Sequence, residues 1–561
     1  MSKPVIECVP NFSEGKDPAI IEAIAAAIRS VDGANLLDVD PGASTNRTVY
    51  TFAGEPEAVL EAAFQAAKVG SQLIDMSRHH GEHPRFGFLD VCPIIPISNC
   101  TMDDCVKWAH QLSKRFADEL GMTVYNYGFA ASTEERRDLS FVRSGEYEGL
   151  ADKLKKPEWK PDFGPASFNE RLGATAVSAR DILVAYNINL NTTSVRRANS
   201  VAFDVREKGR VKREGDPLTG EIIRDAGGKA VYEPGVLKNV KGIGWYIEEY
   251  GICQVSMNLT NIRETPLHIA FDETCEKAND RGIRVTGSEL VGLVPLSCML
   301  DAGRYFLHKQ NRSSGVSDAE LIKIAVRSLG LDELSPFEPR RKIIEYALQE
   351  GSKKRLIDLT VQGFVEETAS ESPAPGGGSI AATMGAMGAA LATMVANLSS
   401  HKRGWDDRWE EFSVWAERGK FFHDRLLRLI DEDTDAFDAL MACFAMPKST
   451  DEEKAIRTAA IQGATKHAIE IPLEVMQTAF DSMEVIHAMV EIGNPNSVTD
   501  AAVGALAARS AVLGAHLNVR INCASVEDQD FVADVKSRAQ AIADWTVARE
   551  SEILEMVGSK L

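Results

Sequence analysis

The sequence predicts an α+β front part made of two β-α-β-β-α-β-like lobes, followed by an all-α helical bundle. Three observations predict it. Short apolar runs alternate with helical-period segments from Val5 to Thr286. From Leu356 to Leu561 strand signals are few, Ala is frequent, and long 3.6-period runs dominate. Between these parts, Ser335–Pro339 (SPFEP) and Gly351–Lys354 (GSKK) gather element-breaking residues. The boundaries read as 1–181 and 182–335 for the two lobes, 336–356 for a linker and 357–561 for the helical domain.

In the first lobe, Val5–Val9 is an apolar run stopped by Pro10, and Ile20–Ile28 has helical periodicity. Asn35–Asp40 and Thr48–Ala53 are strand-like around the loop PGASTNR, and Pro56–Val69 is an Ala-rich helix. Leu89–Ile97 is extended, and its prolines predict an edge strand, because proline donates nothing to a ladder. Thr101–Leu120 reads as a helix and Met122–Tyr127 as a strand. This order predicts a sheet with helices on one face.

The second lobe repeats the order loosely. Asp181–Leu190 is a strand, Ser194–Glu207 a helix, and Lys208–Tyr232 a polar, Gly-rich surface insertion. Gly242–Glu248 and Ile252–Leu259 form a hairpin, followed by a helix over Pro266–Arg281 and a strand over Ile283–Thr286. A cleft is expected between the lobes. In the helical domain, Ser379–Ser400 carries no charge and is long enough to span a bilayer. Its Ala, Gly, Thr and Met content instead predicts a buried helix in close contact with its neighbours, inside a bundle and at a subunit interface.

Lys+Arg is 62 against Asp+Glu 82, a net charge of −20, which argues against a general nucleic-acid binder. The nine cysteines are scattered, without a C-x-x-C pair, as in a reduced cytoplasmic protein. The first residues lack the basic-then-apolar pattern of a signal peptide.

The densest polar cluster is Asp75–Arg85, DMSRHHGEHPR, between a helix and a strand. His83 precedes Pro84, which favours an extended backbone, and a neutral imidazole can take or give a proton, oriented by Glu82 or Asp40. A solvated loop is the plain alternative. His80 and His83 flank Glu82, but the H-E-x-x-H order and a third metal ligand are missing. Asp162–Thr175 is a second unusual loop; its glycines would let backbone amides approach a flat ligand, unless it is an ordinary inter-lobe linker. Gly376, Gly377 and Gly378 in APGGGS precede a helix start and form either a nest of N–H groups or a tight turn.

Asp433 lies three residues beyond Ile430 and four before Phe437, on the apolar stripe of Leu426, Ile430, Phe437, Leu440 and Phe444. Asp431 and Asp435 fall off that stripe. A core-facing carboxyl has a raised pKa unless paired, and can then exchange protons near neutral pH. A calcium loop does not fit, because Ala436 and Ala442 stand where Gly and Glu are needed.

Taken together, Ile6–Gly15, LLDVD, STNRTVYTF, LIDMSRHHGEHPR, LDVCP, DFGPASF, NINL, KGIGWY, GSELVGLVPL, APGGGS and LIDEDTDAF resemble the bifunctional formimidoyltransferase–cyclodeaminase family over nearly the whole chain. The resemblance implies a transferase of two α/β subdomains around a folate cleft, an all-helical cyclodeaminase domain, and a homo-oligomer. It puts His83 at the family's catalytic histidine and Asp433 at its cyclodeaminase carboxylate. Gly164, Pro165, Ala166, Ser167, Phe168, Asn169, Glu170, Arg171, Leu172 and Gly173 match its folate-binding loop.

The implied reactions pass a formimino group from formiminoglutamate to tetrahydrofolate, polyglutamylated or not, and then close the ring with loss of ammonia. One histidine can serve as base and then acid. Asp40 is expected to face the cationic amidine, Arg47 or Arg85 a glutamate carboxylate, and Asn46, beside Arg47, to bind substrate or folate with them. No metal is required by this chemistry. Two alternatives stay open: a transferase with a structural or folate-binding helical tail, and a folate-binding scaffold with one dead site.

Overall fold

The computed structural model describes residues 4–42, 46–80, 85–215, 219–349, 355–372 and 374–561. By proximity the chain forms two units, Met1–Met299 with Val326–Ser352, and Leu300–Ala325 with Lys353–Leu561.

The first unit begins with β1 (Val5–Cys8), β2 (Asn11–Phe12), α1 (Pro18–Arg29), β3 (Ala34–Gly42), β4 (Arg47–Gly54), α2 (Pro56–Leu73), β5 (Leu89–Ser98), α3 (Met102–Leu120) and β6 (Thr123–Gly128). Two short helices, α4 (Leu139–Val142) and α5 (Leu150–Lys153), precede β7 (Ala174–Ala179). β3 and β4 pair at one side of the sheet; β1 and β2 share the next lane; β5, β7 and β6 follow. The last two pairings are parallel and the others antiparallel. Ile6, Cys8, Phe12, Tyr50 and Phe52 turn to the face covered by α1, α2 and α3, as strand alternation requires. Thr101 caps α3 with a capping box, which is why that helix starts where its polar residues predict.

β5 is not an edge strand. It pairs with β1 and β2 on one side and β7 on the other. Its prolines are tolerated because Pro93 lies where the β2 lane passes to β1, and Pro96 lies beyond the last β7 pair, Ile94↔Ala179.

The second sheet is antiparallel, in the order β13 (Val240–Ile247), β14 (Ile252–Leu259), β8 (Val184–Leu190), β15 (Val285–Val291). Helices α6 (Val195–Val205) and α7 (Leu267–Asn279) cover the face carrying Tyr186, Ile188 and Leu190. The insertion forms two small ribbons from β9 (Arg210–Val211), β10 (Arg213–Glu214), β11 (Glu221–Ile222) and β12 (Tyr232–Glu233).

α8 (Leu296–Lys309) and α9 (Asp318–Leu329) come next, then α10 (Pro339–Lys342) and α11 (Ile344–Gln349). Much of the expected linker is therefore folded. Ile343 and Ile344 are fully buried, and Ile344 closes an apolar cluster with Ala53, Ile95 and Ile182. The expected lobe 182–335 also gives up a piece: residues 300–325 group with the helical unit, where the Ser314 hydroxyl donates to Glu417 and the Ser313 hydroxyl to Asn397. Helical periodicity alone does not show which unit a helix joins.

The helical unit is built from α12 (Val361–Thr368), α13 (Gly377–Ser400), α14 (Trp409–Phe444), α15 (Asp451–Ile492), α16 (Val498–Asn522) and α17 (Gln529–Gly558). α13 packs against α14, α15 and α16. Its small residues bring α16 close; a Cβ on Gly388 would lie 2.8 Å from the Gly504 carbonyl oxygen. Among the described residues two segments, Gly377–Ser400 and Pro495–Ser525, are long and apolar enough to cross a membrane, and 61% and 50% of their apolar windows are buried within the protein.

Candidate functional sites

In the first unit the cluster from Asp75 and the loop before β7 come together. Arg171 O accepts from Met76 N at 3.0 Å, and Leu172 O from Phe88 N at 3.0 Å. His83 and Glu82 lie outside the described residues, but both flanks of their segment are defined. Asn46 holds the entry side: its side chain donates to His80 O at 2.9 Å and accepts from Gly15 N at 3.0 Å, and its carbonyl bonds His79 Nε2 at 2.8 Å. Asn46 has φ 51°, a left-handed conformation that asparagine tolerates.

Arg85 holds the exit side. It donates to Glu148 and to the carbonyls of Met76 and His79, and its guanidinium stacks 4.5 Å over the Tyr147 ring. Arg47 is bound to Asp90 at 2.6 Å and to Asn11 Oδ1 at 2.9 Å, and burial pulls its pKa down to about 10. Both guanidinium groups thus have partners within the protein, which a glutamate carboxylate would have to join or displace. The buried Asp90 demands cations, and it takes Arg47 together with Arg143. Asp40 lies on β3, exposed, opposite Val49.

The loop Gly164–Gly173 is exposed over Gly164, Pro165, Ala166, Ser167, Asn169, Glu170 and Arg171. Its two terminal glycines are required by close backbone packing. Gly164 (φ 82°) lies against the Met122 carbonyl, and a Cβ on Gly173 (φ 67°) would sit 2.7 Å from Gly87 Cα. Asn169 Oδ1 accepts from Arg171 N and Leu172 N, an Asx turn that shapes the loop tip. Phe168 packs on Tyr147 at 5.5 Å between ring centroids, and the Tyr147 hydroxyl donates to Glu170 O. Tyr147 thus ties both loops to one ring. Among the described residues, no three His, Cys, Asp or Glu side chains are grouped as metal ligands would be.

The second candidate site lies in the helical unit. Gly376 caps α13, and Gly377, Gly378 and Ser379 form its first turn. The Ser379 hydroxyl is shared between Asp433 Oδ2 at 3.1 Å and the Ile430 carbonyl at 3.0 Å. The Asp433 carboxyl therefore lies at the start of α13, against Gly378. Burial raises the Asp433 pKa, and the Ser379 hydrogen bonds hold it back.

The buried face of α14 differs from the apolar stripe. Leu426 and Ile430 are buried and Phe437 is half-buried, but Phe444 is exposed, and Asp431 is buried as well. Asp431 accepts from Leu356 N at 2.8 Å, because the chain entering the unit covers that side of α14.

Three family models match in order: "Formiminotransferase domain, N-terminal subdomain" over residues 5–180, "Formiminotransferase domain" over 185–349 and "Formiminotransferase-cyclodeaminase" over 360–541. A pig protein named formimidoyltransferase-cyclodeaminase is 43% identical over 99% of this chain and 99% of its own length. The chain belongs to the formimidoyltransferase-cyclodeaminase family.

Two shorter relatives divide it. A glutamate formimidoyltransferase of Streptococcus pyogenes is 38% identical over 55% of this chain and 94% of its own. A methenyltetrahydrofolate cyclohydrolase of Methylorubrum extorquens is 35% identical over 36% of this chain and 97% of its own. This member of the family is thus a multifunctional folate enzyme with a transferase part and a helical cyclodeaminase part.

Two residues at these sites escaped the sequence reading. Tyr147 lies in the polar run SGEYEGL, which gives no periodic signal. Asn518 on α16 lies beside Gly377, where an added Cβ would be 3.1 Å from its Nδ2; only the pairing of α13 with α16 reveals it.

Proposed function

We propose that His83 and Asp433 carry the two steps of this enzyme in separate units. In the first step, nitrogen-5 of tetrahydrofolate attacks the amidine carbon of formiminoglutamate. The new N–C bond forms as the bond to the glutamate nitrogen breaks. His83 takes the proton from the attacking nitrogen and returns it to the departing one. In the second step, nitrogen-10 attacks the same carbon within one molecule, and the former imino nitrogen leaves as ammonia after protonation. Proximity lowers that barrier, so Asp433 need only move protons.

The carrying observation is the seat of Asp433: a half-buried carboxyl with raised pKa, held by Ser379 at the start of α13. The name of the Methylorubrum relative includes methenyltetrahydrofolate, the compound that cyclisation forms. The test is to supply the full chain with formiminoglutamate and tetrahydrofolate. Glutamate, ammonia and methenyl-tetrahydrofolate should form in equal amounts. Glutamate without ammonia would favour a transferase with an inactive helical tail.

The same proposal includes a cytoplasmic setting, a place in histidine breakdown, and a homo-oligomer through the helical unit. Supporting the cytoplasmic setting, the nine cysteines are scattered without a C-x-x-C pair, and the buried Cys8 and Cys92 pack sulfur to sulfur at 3.6 Å. Exposed Met387, Leu398, Val414, Phe421, Leu517 and Ile521 leave apolar helix faces for a second copy to cover. Light scattering should find an oligomer; a monomer would remove that part of the proposal.

A further inference from the structure

Beside Asp433 the helical unit contains an apolar cavity of about 510 Å³. Its floor includes Ile380 on α13 and Ile430 on α14, and its roof includes Leu356, Val361, Phe364 and Val365. Asp433 does not line the cavity, but two residues that adjoin its seat, Ile380 and Ile430, do. Ile380 follows Ser379 directly, and the Ser379 hydroxyl that reaches Asp433 also reaches the Ile430 carbonyl. The roof is only partly closed: Val361 is 78% exposed and Val365 61% exposed.

Leu356 and Phe364 pack the roof onto the core, and a polar anchor holds its start. Asp431 Oδ1 accepts from Leu356 N at 2.8 Å, and the residue is only 6% exposed. Its Oδ2 is buried without a hydrogen-bond partner. A buried carboxyl with one oxygen unmatched is costly, so its position has to be held by the surrounding fold.

The chemistry of folate selects what fits. Its pteridine has polar edges that need hydrogen-bond partners, and its glutamate tail is charged. Only the p-aminobenzoyl ring is flat and largely apolar, and it is attached to nitrogen-10, which must reach the reacting carbon. A wall of Leu, Val, Phe and Ile that reaches Ile380 and Ile430, beside the seat of Asp433, suits that ring better than the other parts.

Building on the proposed cyclisation at Asp433, we infer that residues 355–368 form a lid over this cavity, that the cavity takes the p-aminobenzoyl ring of 5-formimino-tetrahydrofolate, and that Asp431 is the positioning residue that holds the lid. Asp431 touches the lid backbone and takes no part in proton transfer.

The test uses the full chain, 5-formimino-tetrahydrofolate supplied directly, and p-aminobenzoylglutamate as a competing probe. Asp431→Ala and Phe364→Ala should each raise KM for cyclisation about tenfold while kcat stays within about threefold, because they weaken binding rather than chemistry. Asp431→Asn should stay close to the parent, since its amide oxygen still accepts from Leu356 N. The probe should inhibit the parent and lose potency in Phe364→Ala. Formimino transfer, measured on the same preparations, reports the integrity of the other unit.

Unchanged KM in both Asp431→Ala and Phe364→Ala would overturn the lid. A large fall in kcat with Asp431→Asn would overturn its positioning role and make it part of the chemistry. If the parent cyclises and the variants keep its KM, this inference alone fails. If the parent releases no ammonia, the functional reading fails and takes this inference with it.

Discussion

A Cβ added to Gly378 would lie 2.5 Å from Cγ and 2.6 Å from Oδ2 of Asp433. No carboxyl can remain at that separation, so position 378 must be glycine for Asp433 to sit at the start of α13. Gly378→Ala should cut cyclisation about a hundredfold or more, cost about 1–3 kcal/mol of stability in the helical unit, and leave transfer intact. Ammonia release and methenyl-tetrahydrofolate absorbance, with calorimetry in parallel, measure this.

Asp433→Asn removes the charge at nearly constant size. Cyclisation should fall by about 10²-fold or more while formimino-tetrahydrofolate accumulates. Folding should survive, because an amide still accepts from Ser379 and is less costly to bury than a carboxylate. Equal activity in Asp433→Asn and the parent would show that another group moves the protons.

His83→Ala should reduce transfer by about 10²–10⁴-fold and leave cyclisation of supplied formimino-tetrahydrofolate unchanged. Retention of parental transfer would remove His83 from the proposed mechanism.

Asp90 lies between Arg47 and Arg143, whose pKa values burial lowers to about 10 each. Asp90→Asn leaves both cations without a counter-charge and should cost about 3–5 kcal/mol, lowering the first thermal transition of the transferase part. Arg47 is next to Asn46, so transfer should weaken as well. A parental melting profile would refute this account of Arg47.

Glu7 is buried on the sheet face opposite α1–α3, between Ala53 and Ile95 in the strand register. Burial pushes its pKa up from 4.5 to about 7, with Arg180 opposing and Glu345 adding to the shift. Between those values the folded chain holds a proton that the unfolded chain has released. Its contribution to stability is therefore present at low pH and lost as pH rises through about 7. Glu7→Gln should flatten that dependence and stabilise the transferase part at pH 8 by about 1–3 kcal/mol relative to the parent. The same pH slope in parent and variant would place the titration elsewhere.

The sequence by itself determined the elements and their order, because strand alternation, helical period and caps such as Thr101 are encoded within a few residues of where they act. It also placed Asp433 on a largely apolar helix face, and brought the Asp75–Arg85 segment and the Asp162–Thr175 loop forward as unusual. Only the tertiary structure decided what covers each face. Pro93 and Pro96 looked like edge markers, yet β5 is central because the neighbouring lanes break or end beside them. Asp431 fell off the stripe, yet it is buried because Leu356 crosses over it. The sequence does not show the internal partners of Arg47 and Arg85, which are Asp90 for the first and Glu148 and Tyr147 for the second. Periodicity describes one face of one element, whereas a residue's partners come from segments tens to hundreds of positions away, and only the packed chain brings those together.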